Sequence, residues 1–266
     1  MYPVKNPEIV AQEQAAYTAK IDKNKAEGLK KIASGELPLF TGWSIEKHSG
    51  RTFDTILLLD EPSQKLVIER VVNPLRQLAE AHNITAVYPG IGDGPPHVVL
   101  QPGRFTNLDP EQMEAIKKYL ASNNSHLNLL AKILEGLTFH HDTLVIAAPT
   151  TYVCAGKFDA EQGGVFRARR VMDRIIAHAV GNLKSTSQPP VEGNFTPNDY
   201  HDIFHSSVMR FTQEADPKDL IALAQEAYAT LGEDLRRNPL PITIACLYRG
   251  MAVDYQMKVV PQWVTP

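Results

Sequence analysis

The stretch that decides the fold is His205-Ser206-Ser207-Val208-Met209-Arg210-Phe211, which is followed by Asp216-Pro217. Polar and apolar residues are interspersed through it, which is typical of a half-buried β-strand. Aspartate followed by proline is a frequent helix start, because aspartate caps the first turn and proline fits its first position. The stretch therefore predicts a strand that begins near a histidine and leads into a capped helix.

A second stretch of the chain has the same order. His97-Val98-Val99-Leu100 precedes Arg104-Phe105 and then Asp109-Pro110. The aspartate follows its histidine by 12 residues here and by 11 residues in the other stretch. Each stretch then leads through an amphipathic helix to an apolar strand, at 144–147 in the first case and 242–246 in the second. The recurring order predicts an internal repeat in which each half holds one histidine strand.

Each stretch begins with a four-residue segment, or tetrad, at 97–100 and at 205–208. These two tetrads resemble the signature of the two-histidine (2H) phosphoesterase superfamily, which includes RNA 2′,3′-cyclic phosphodiesterases and 2′-5′ RNA ligase-like proteins. The signature is histidine, any residue, threonine or serine, and an apolar residue. The tetrad that begins at His205 fits it fully, whereas Val99 replaces the hydroxyl residue in the tetrad that begins at His97. The resemblance in element order covers about residues 50 to 260, with the N-terminal helices and a connector at 157–200 outside it.

The resemblance implies an α+β fold of two pseudo-symmetric lobes, each an antiparallel sheet backed by helices, around a central groove. It also implies that the two tetrads face one another across that groove. We therefore divide the chain into an N-terminal helical extension at 1–48 and a bilobal domain at 49–266, whose lobes are interleaved.

His97 and His205 are the predicted catalytic residues. A neutral imidazole can take a proton from an attacking water while a protonated one delivers a proton to the leaving oxygen, and an unperturbed pKa near 6.5 allows both forms. This chemistry needs no metal and no other cofactor. Ser207 shares a strand face with His205, so its hydroxyl can donate a hydrogen bond to a phosphate oxygen.

Two further residues are predicted to bind substrate. Val99 cannot donate a hydrogen bond, and Gln101, two residues further along the same strand face, is the predicted substitute. Tyr152 falls near a strand end, where a base could stack on its ring. Arg104 and Arg210 lie an odd number of steps from their histidines, so an unbroken strand directs both away from the groove, and we predict structural roles for them.

The sequence leaves two other functions open. One is a nucleotide or RNA-end binding protein without turnover, which Val99 motivates. The other is a metal-dependent hydrolase that uses His140, His141 and His201. For either tetrad histidine alone, a structural role in which the ring bonds to a backbone carbonyl is the simpler interpretation. Only the matched pair favours catalysis, as a phosphodiesterase of a cyclic phosphate or a 2′-5′-type phosphodiester.

The composition narrows the range of partners. The chain has 266 residues, of which 43% are hydrophobic and 21% charged, as in an ordinary globular protein. A net charge of −3 argues against a wide basic face for duplex DNA, so the expected partner is a nucleotide or RNA-end substrate. No apolar run reaches the ~20 residues of a membrane span, and the N-terminus does not read as a signal peptide. We therefore expect a cytoplasmic protein without a membrane partner, in which both cysteines are reduced.

Overall fold

The computed structural model describes residues 7–34, 52–101, 131–132, 134–147, 151–158, 204–213 and 215–252, together with positions 118, 122 and 128. The Arg-Phe pair at 104–105, the Asp-Pro pair at 109–110, His201 and nearly all of the predicted connector lie outside these residues. Within them the fold is α+β, as predicted.

Eight strands are described. They are β1 (Thr52–Leu59), β2 (Ala86–Pro89), β3 (Gly92–Asp93), β4 (His97–Gln101), β5 (Thr138–Ala147), β6 (Thr151–Phe158), β7 (His205–Phe211) and β8 (Leu240–Ala252). They form one hydrogen-bonded sheet in the order β3-β2-β7-β6-β5-β8-β1-β4. All neighbouring pairs are antiparallel except β2 with β3. The antiparallel sheet is thus confirmed, while the arrangement of the strands in two lobes stays a prediction.

Five helices have described bounds. They are α1 (Pro7–Ala33), α2 (Glu61–Val67), α3 (Asn73–Ala81), α4 (Pro217–Ala227) and α5 (Glu233–Arg237). The predicted helix start at 216–217 is confirmed, because the Asp216 carboxylate accepts a hydrogen bond from the Lys218 N–H at 2.8 Å. In the described part of the chain, no helix has both the length and the hydropathy needed to cross a bilayer.

Two of the helix pairs are joined by single π-helical turns. Ile68–Val72 joins α2 to α3, and Tyr228–Gly232 joins α4 to α5. At the first junction the N–H of Asn73 donates to the carbonyl of Ile68, five residues earlier. Pro74 follows at once and has no N–H to donate, so the wider turn accommodates it without breaking the helix.

Helix α1 packs against β5, β6 and α4. Its residues Tyr17 and Ile21 belong to the same buried hydrophobic core as Phe139 and Phe204 from the sheet side. The proposed division of the chain at residue 48 stays a prediction. Cys154 and Cys246 are free thiols, as predicted.

Each tetrad ends in a β-bulge. In β4 the pairing with β1 passes over Leu100, and in β7 the pairing with β6 passes over Val208. The fourth residue of both tetrads is therefore the extra residue of a bulge, which shifts the alternation of the side chains that follow. The corresponding position of the two bulges agrees with the predicted repeat.

The sheet curls, and its curvature brings the two histidine strands together. Residues of β4 lie within 8 Å of residues of β7, measured between Cα atoms, although four strands separate β4 from β7 in the sheet order. The two histidine strands are therefore neighbours in space without being paired by hydrogen bonds.

Candidate functional site

The candidate site lies where β4 approaches β7. His97 is the first residue of β4, and His205 is the first residue of β7. Because both strands begin with their histidine, each imidazole lies at the end of its strand and not halfway along it.

A backbone carbonyl orients the ring of His97. Its Nδ1 lies 2.8 Å from the carbonyl oxygen of Pro95, and the residue is only 6% exposed. A carbonyl oxygen only accepts hydrogen bonds, so Nδ1 carries the hydrogen and donates it. In the neutral ring, Nε2 then holds the lone pair and is the nitrogen that can accept a proton. The carbonyl contact expected for a structural histidine also gives the ring the tautomer of a general base.

His205 and Ser207 lie on one face of β7, as predicted. Both are half-buried, whereas Ser206 and Val208, which alternate with them, are buried in the interior. A hydroxyl and an imidazole therefore share the face of β7 that retains access to solvent.

The bulge at Val208 brings Arg210 to the same side as His205. Val208 and Met209 are both buried, and Arg210 is again half-buried, so the alternation is shifted by one residue. The prediction that Arg210 is directed away from the face of His205 is wrong, because it assumed an unbroken strand. The consecutive apolar pair Val208-Met209 was the available signal of a bulge.

The corresponding residues of β4 are described only by their backbone. Val99 pairs with Ile56 and Gln101 pairs with Thr55, and the bulge at Leu100 lies between them. The side chains of Val99 and Gln101 lie outside the described part of the structure. Since the bulge interrupts the alternation on which the prediction for Gln101 depended, its role as a hydrogen-bond donor stays a prediction.

Tyr152 is a core residue. It is 1% exposed and packs edge-on against Phe211, with 5.7 Å between the ring centroids. Burial raises the pKa of its hydroxyl well above the ordinary value. This placement gives no support to a role in stacking on a base.

His141 is connected to the second tetrad, a link that the sequence did not predict. Its Nε2 lies 3.0 Å from the Oγ of Ser206, and both side chains are completely buried. Burial, with a smaller contribution from the charge of His140, lowers the pKa of His141 to about 3, so its ring is neutral near neutral pH. No local pattern could reveal this contact, because the two residues are 65 positions apart.

A metal centre gains no support from the described residues. Among them, no three histidine, cysteine, aspartate or glutamate side chains come together as a possible metal site. His141 is already engaged by Ser206, while His201, the third predicted ligand, lies outside the described residues.

Comparison with known families finds no family model that matches the sequence, and no curated protein matches it either. Comparison with solved structures does find similar folds.

The solved structures are those of Usb1 from Kluyveromyces marxianus. One covers 81% of this chain and 98% of Usb1, with 14% sequence identity and a TM-score of 0.39. The other, which contains uridine monophosphate, covers 82% of this chain and 98% of Usb1, with 14% identity and a TM-score of 0.42. At this identity and these TM-scores, the similarity carries no conclusion about the activity of this chain.

Proposed function

We propose that this protein is a metal-independent phosphodiesterase of the two-histidine type, which opens a cyclic phosphate or cleaves a 2′-5′-type phosphodiester of a nucleotide or RNA end. The observation that supports it most is the approach of β4 to β7 within 8 Å, with His97 and His205 as their first residues. Strands this close suit two imidazoles on either side of one phosphate, a separation of ~5 to 7 Å if each nitrogen is ~3 Å from a reacting oxygen.

In the proposed reaction, neutral His97 accepts at Nε2 a proton from the attacking water. The water oxygen forms a bond to phosphorus, and the bond from phosphorus to the leaving oxygen breaks. Protonated His205 gives its proton to that leaving oxygen, so no free alkoxide is released. Ser207 donates a hydrogen bond to a non-bridging oxygen, where negative charge builds up, and the guanidinium of Arg210 balances part of that charge.

We further infer that the chain forms two related lobes. The pattern of strand pairs supports this inference: β1 pairs with β4 and β8, as β6 pairs with β7 and β5, and β5 and β8 pair with each other. The bulges correspond too, because the pairing passes over Ala245 in β8 and over Asp142 in β5, in addition to the two tetrad bulges. An exchange of the two halves therefore reproduces the pairings among these six strands.

A nucleotide or RNA-end binding protein is the second candidate, because valine at position 99 leaves the first tetrad without a hydroxyl donor. It predicts that the ligand binds and is released unchanged, whereas the proposed enzyme converts it.

Hydrolysis and binding are best compared on one panel of compounds. The panel holds a nucleoside 2′,3′-cyclic phosphate, a 2′-5′-linked dinucleotide and a 3′-5′-linked RNA oligomer, each in the presence of EDTA. Product formation is followed by chromatography, and binding to the wild-type protein and to a His97→Ala/His205→Ala double variant by calorimetry. Turnover by the wild-type protein, with binding but no turnover by the double variant, supports the enzyme. Binding without turnover by the wild-type protein supports the binding protein and overturns the proposal.

A further inference from the structure

The residue before His205 is held by a side chain from the N-terminal helix. The hydroxyl of Tyr17 donates to the carbonyl oxygen of Phe204 over 2.9 Å and accepts from the N–H of Phe204 over 3.1 Å. Tyr17 is 3% exposed and Phe204 is completely buried, and their rings pack with centroids 5.8 Å apart. One hydroxyl thus satisfies both backbone groups of a residue 187 positions away in the chain.

The residue after His205 is held by a buried side chain of the same sheet. Ser206 bonds to His141 of β5, although β6 lies between β5 and β7. Gly156 of β6 is directly opposite His141 in the register, and a Cβ at this glycine would overlap the carbonyl oxygen of His140. Glycine at this position therefore lets β5 approach β6 closely enough for His141 to reach the next strand.

We infer that Tyr17 and His141 are positioning residues, which fix the backbone on both sides of His205 and so hold its imidazole at the groove; this inference rests on the proposed function. A residue at the start of a strand has a regular strand on one side only, and such ends open more easily than strand centres. The Tyr17 contact lies on the side of His205 where the regular strand has ended, and the His141 contact adds to the strand pairing of Ser206 on the other side. Neither residue touches the substrate in this account, because both side chains lie in the interior.

The expected consequence is kinetic. A displacement of about 1 Å in a reacting group costs up to about 100-fold in rate. Loss of either contact should therefore lower kcat, while KM, which depends on groups that bind the phosphodiester, changes little.

The test uses Tyr17→Phe, which keeps the ring and removes only the hydroxyl. Ile21→Val is the matched control, because Ile21 lies one turn further along α1 in the same core and its side chain has no polar group. On the panel substrate that turns over fastest, we expect Tyr17→Phe to lose about 10- to 100-fold in kcat at unchanged KM. Ile21→Val should keep the wild-type kcat. All variants are compared at a temperature where circular dichroism shows them folded.

Ser206 provides a second, independent variant pair. Ser206→Ala removes the partner of His141 and should lower kcat in the same way, whereas Ser206→Thr keeps the hydroxyl and should restore most of the activity. If Tyr17→Phe and Ser206→Ala both keep the wild-type kcat, the two contacts are only structural and the inference is wrong.

A readout that needs no turnover separates this inference from the proposed function. The imidazole signal of His205, assigned by its loss in His205→Ala, is followed by NMR through a pH titration. We expect Tyr17→Phe and Ser206→Ala to move its chemical shift and titration midpoint, and Ile21→Val to leave both unchanged. An unmoved signal in both variants overturns the positioning role even if the enzyme is active. A moved signal in a protein that hydrolyses nothing on the panel overturns the function and leaves the positioning role standing.

Discussion

Nδ1 of His97 donates a hydrogen bond to the carbonyl oxygen of Pro95, two residues earlier in the chain, over 2.8 Å. This contact fixes the tautomer, because the carbonyl can only accept. We expect the ¹⁵N spectrum of the neutral ring to show a protonated Nδ1 and an unprotonated Nε2. A ring with its hydrogen on Nε2 would show that His97 cannot accept a proton at the nitrogen assigned to catalysis.

Substitution of the third residue should have unequal effects in the two tetrads. Ser207→Ala removes the proposed donor to the phosphate and should lower kcat by roughly 10- to 1000-fold. Thr212→Ala is the matched control, since the hydroxyl of Thr212 bonds to the Thr85 carbonyl beyond the end of β7. Val99→Thr should have about the same kcat as the wild-type protein. Steady-state rates on a nucleoside 2′,3′-cyclic phosphate measure all three, and a fully active Ser207→Ala would show that the phosphate is held in another way.

The bulge at Val208 gives Arg210 a testable role. If its guanidinium faces the phosphate, Arg210→Gln should lower kcat/KM by about 10- to 100-fold, which corresponds to the ~1.5 to 3 kcal/mol of a hydrogen bond to a charged group. The effect should shrink as salt increases, because salt screens the charge. Arg236→Gln, at an exposed arginine that bonds to Glu233, is the control. Equal kcat/KM values for the two variants and the wild-type protein would assign Arg210 a structural role.

Burial of neutral His141 makes stability depend on pH. Its pKa is lowered to about 3 in the folded protein, whereas the ordinary value is 6.5. As pH falls, the unfolded chain binds the proton first. The contribution of neutral His141 to the free energy of unfolding is therefore complete above about pH 6.5 and is lost progressively between pH 6.5 and pH 3. From pH 7 to pH 5 the free energy of unfolding should fall by about 2 kcal/mol through this residue.

Urea unfolding at the two pH values measures this loss. His141→Asn should remove the part of this loss that comes from His141. His140→Asn, at the neighbouring half-buried histidine, should show the same loss as the wild-type protein. The same pH dependence in His141→Asn as in the wild-type protein would mean that the ring titrates normally in the fold.

The proposed chemistry also predicts the response to metal chelation. We expect EDTA to leave the activity unchanged, because two imidazoles in opposite protonation states are sufficient, and we expect a bell-shaped dependence of kcat/KM on pH. Activity that disappears with EDTA and returns with a divalent ion would transfer support to a metal-dependent hydrolase.

The sequence predicted those features that depend on local pattern. The α+β class and strands β4 and β7 could be read from hydrophobic alternation, and the Asp216 cap from residue preference. The direction of Arg210 could not, because a bulge depends on how two strands pair and changes every following side chain.

The buried contacts around His205 were also beyond the sequence. Tyr17 and Phe204 are 187 positions apart, and His141 and Ser206 are 65 positions apart, so neither contact leaves a local pattern. The sequence predicted an N-terminal helical extension but not what its residues Tyr17 and Ile21 pack against. For Tyr152, the position near a strand end suggested a ring that a base could reach, whereas the ring is buried in the core.

The central claim is that His97 and His205 act on one phosphate in one site. It is tested most directly by kcat of His97→Ala, His205→Ala and the double variant on the best substrate of the panel, with His82→Ala, whose ring bonds to Glu226 at the surface, as control. We predict that each tetrad variant loses about 100- to 10,000-fold, that the double variant loses little more than either single one, and that the control is unchanged. A wild-type rate in either tetrad variant, or losses that multiply in the double variant, would contradict a shared site.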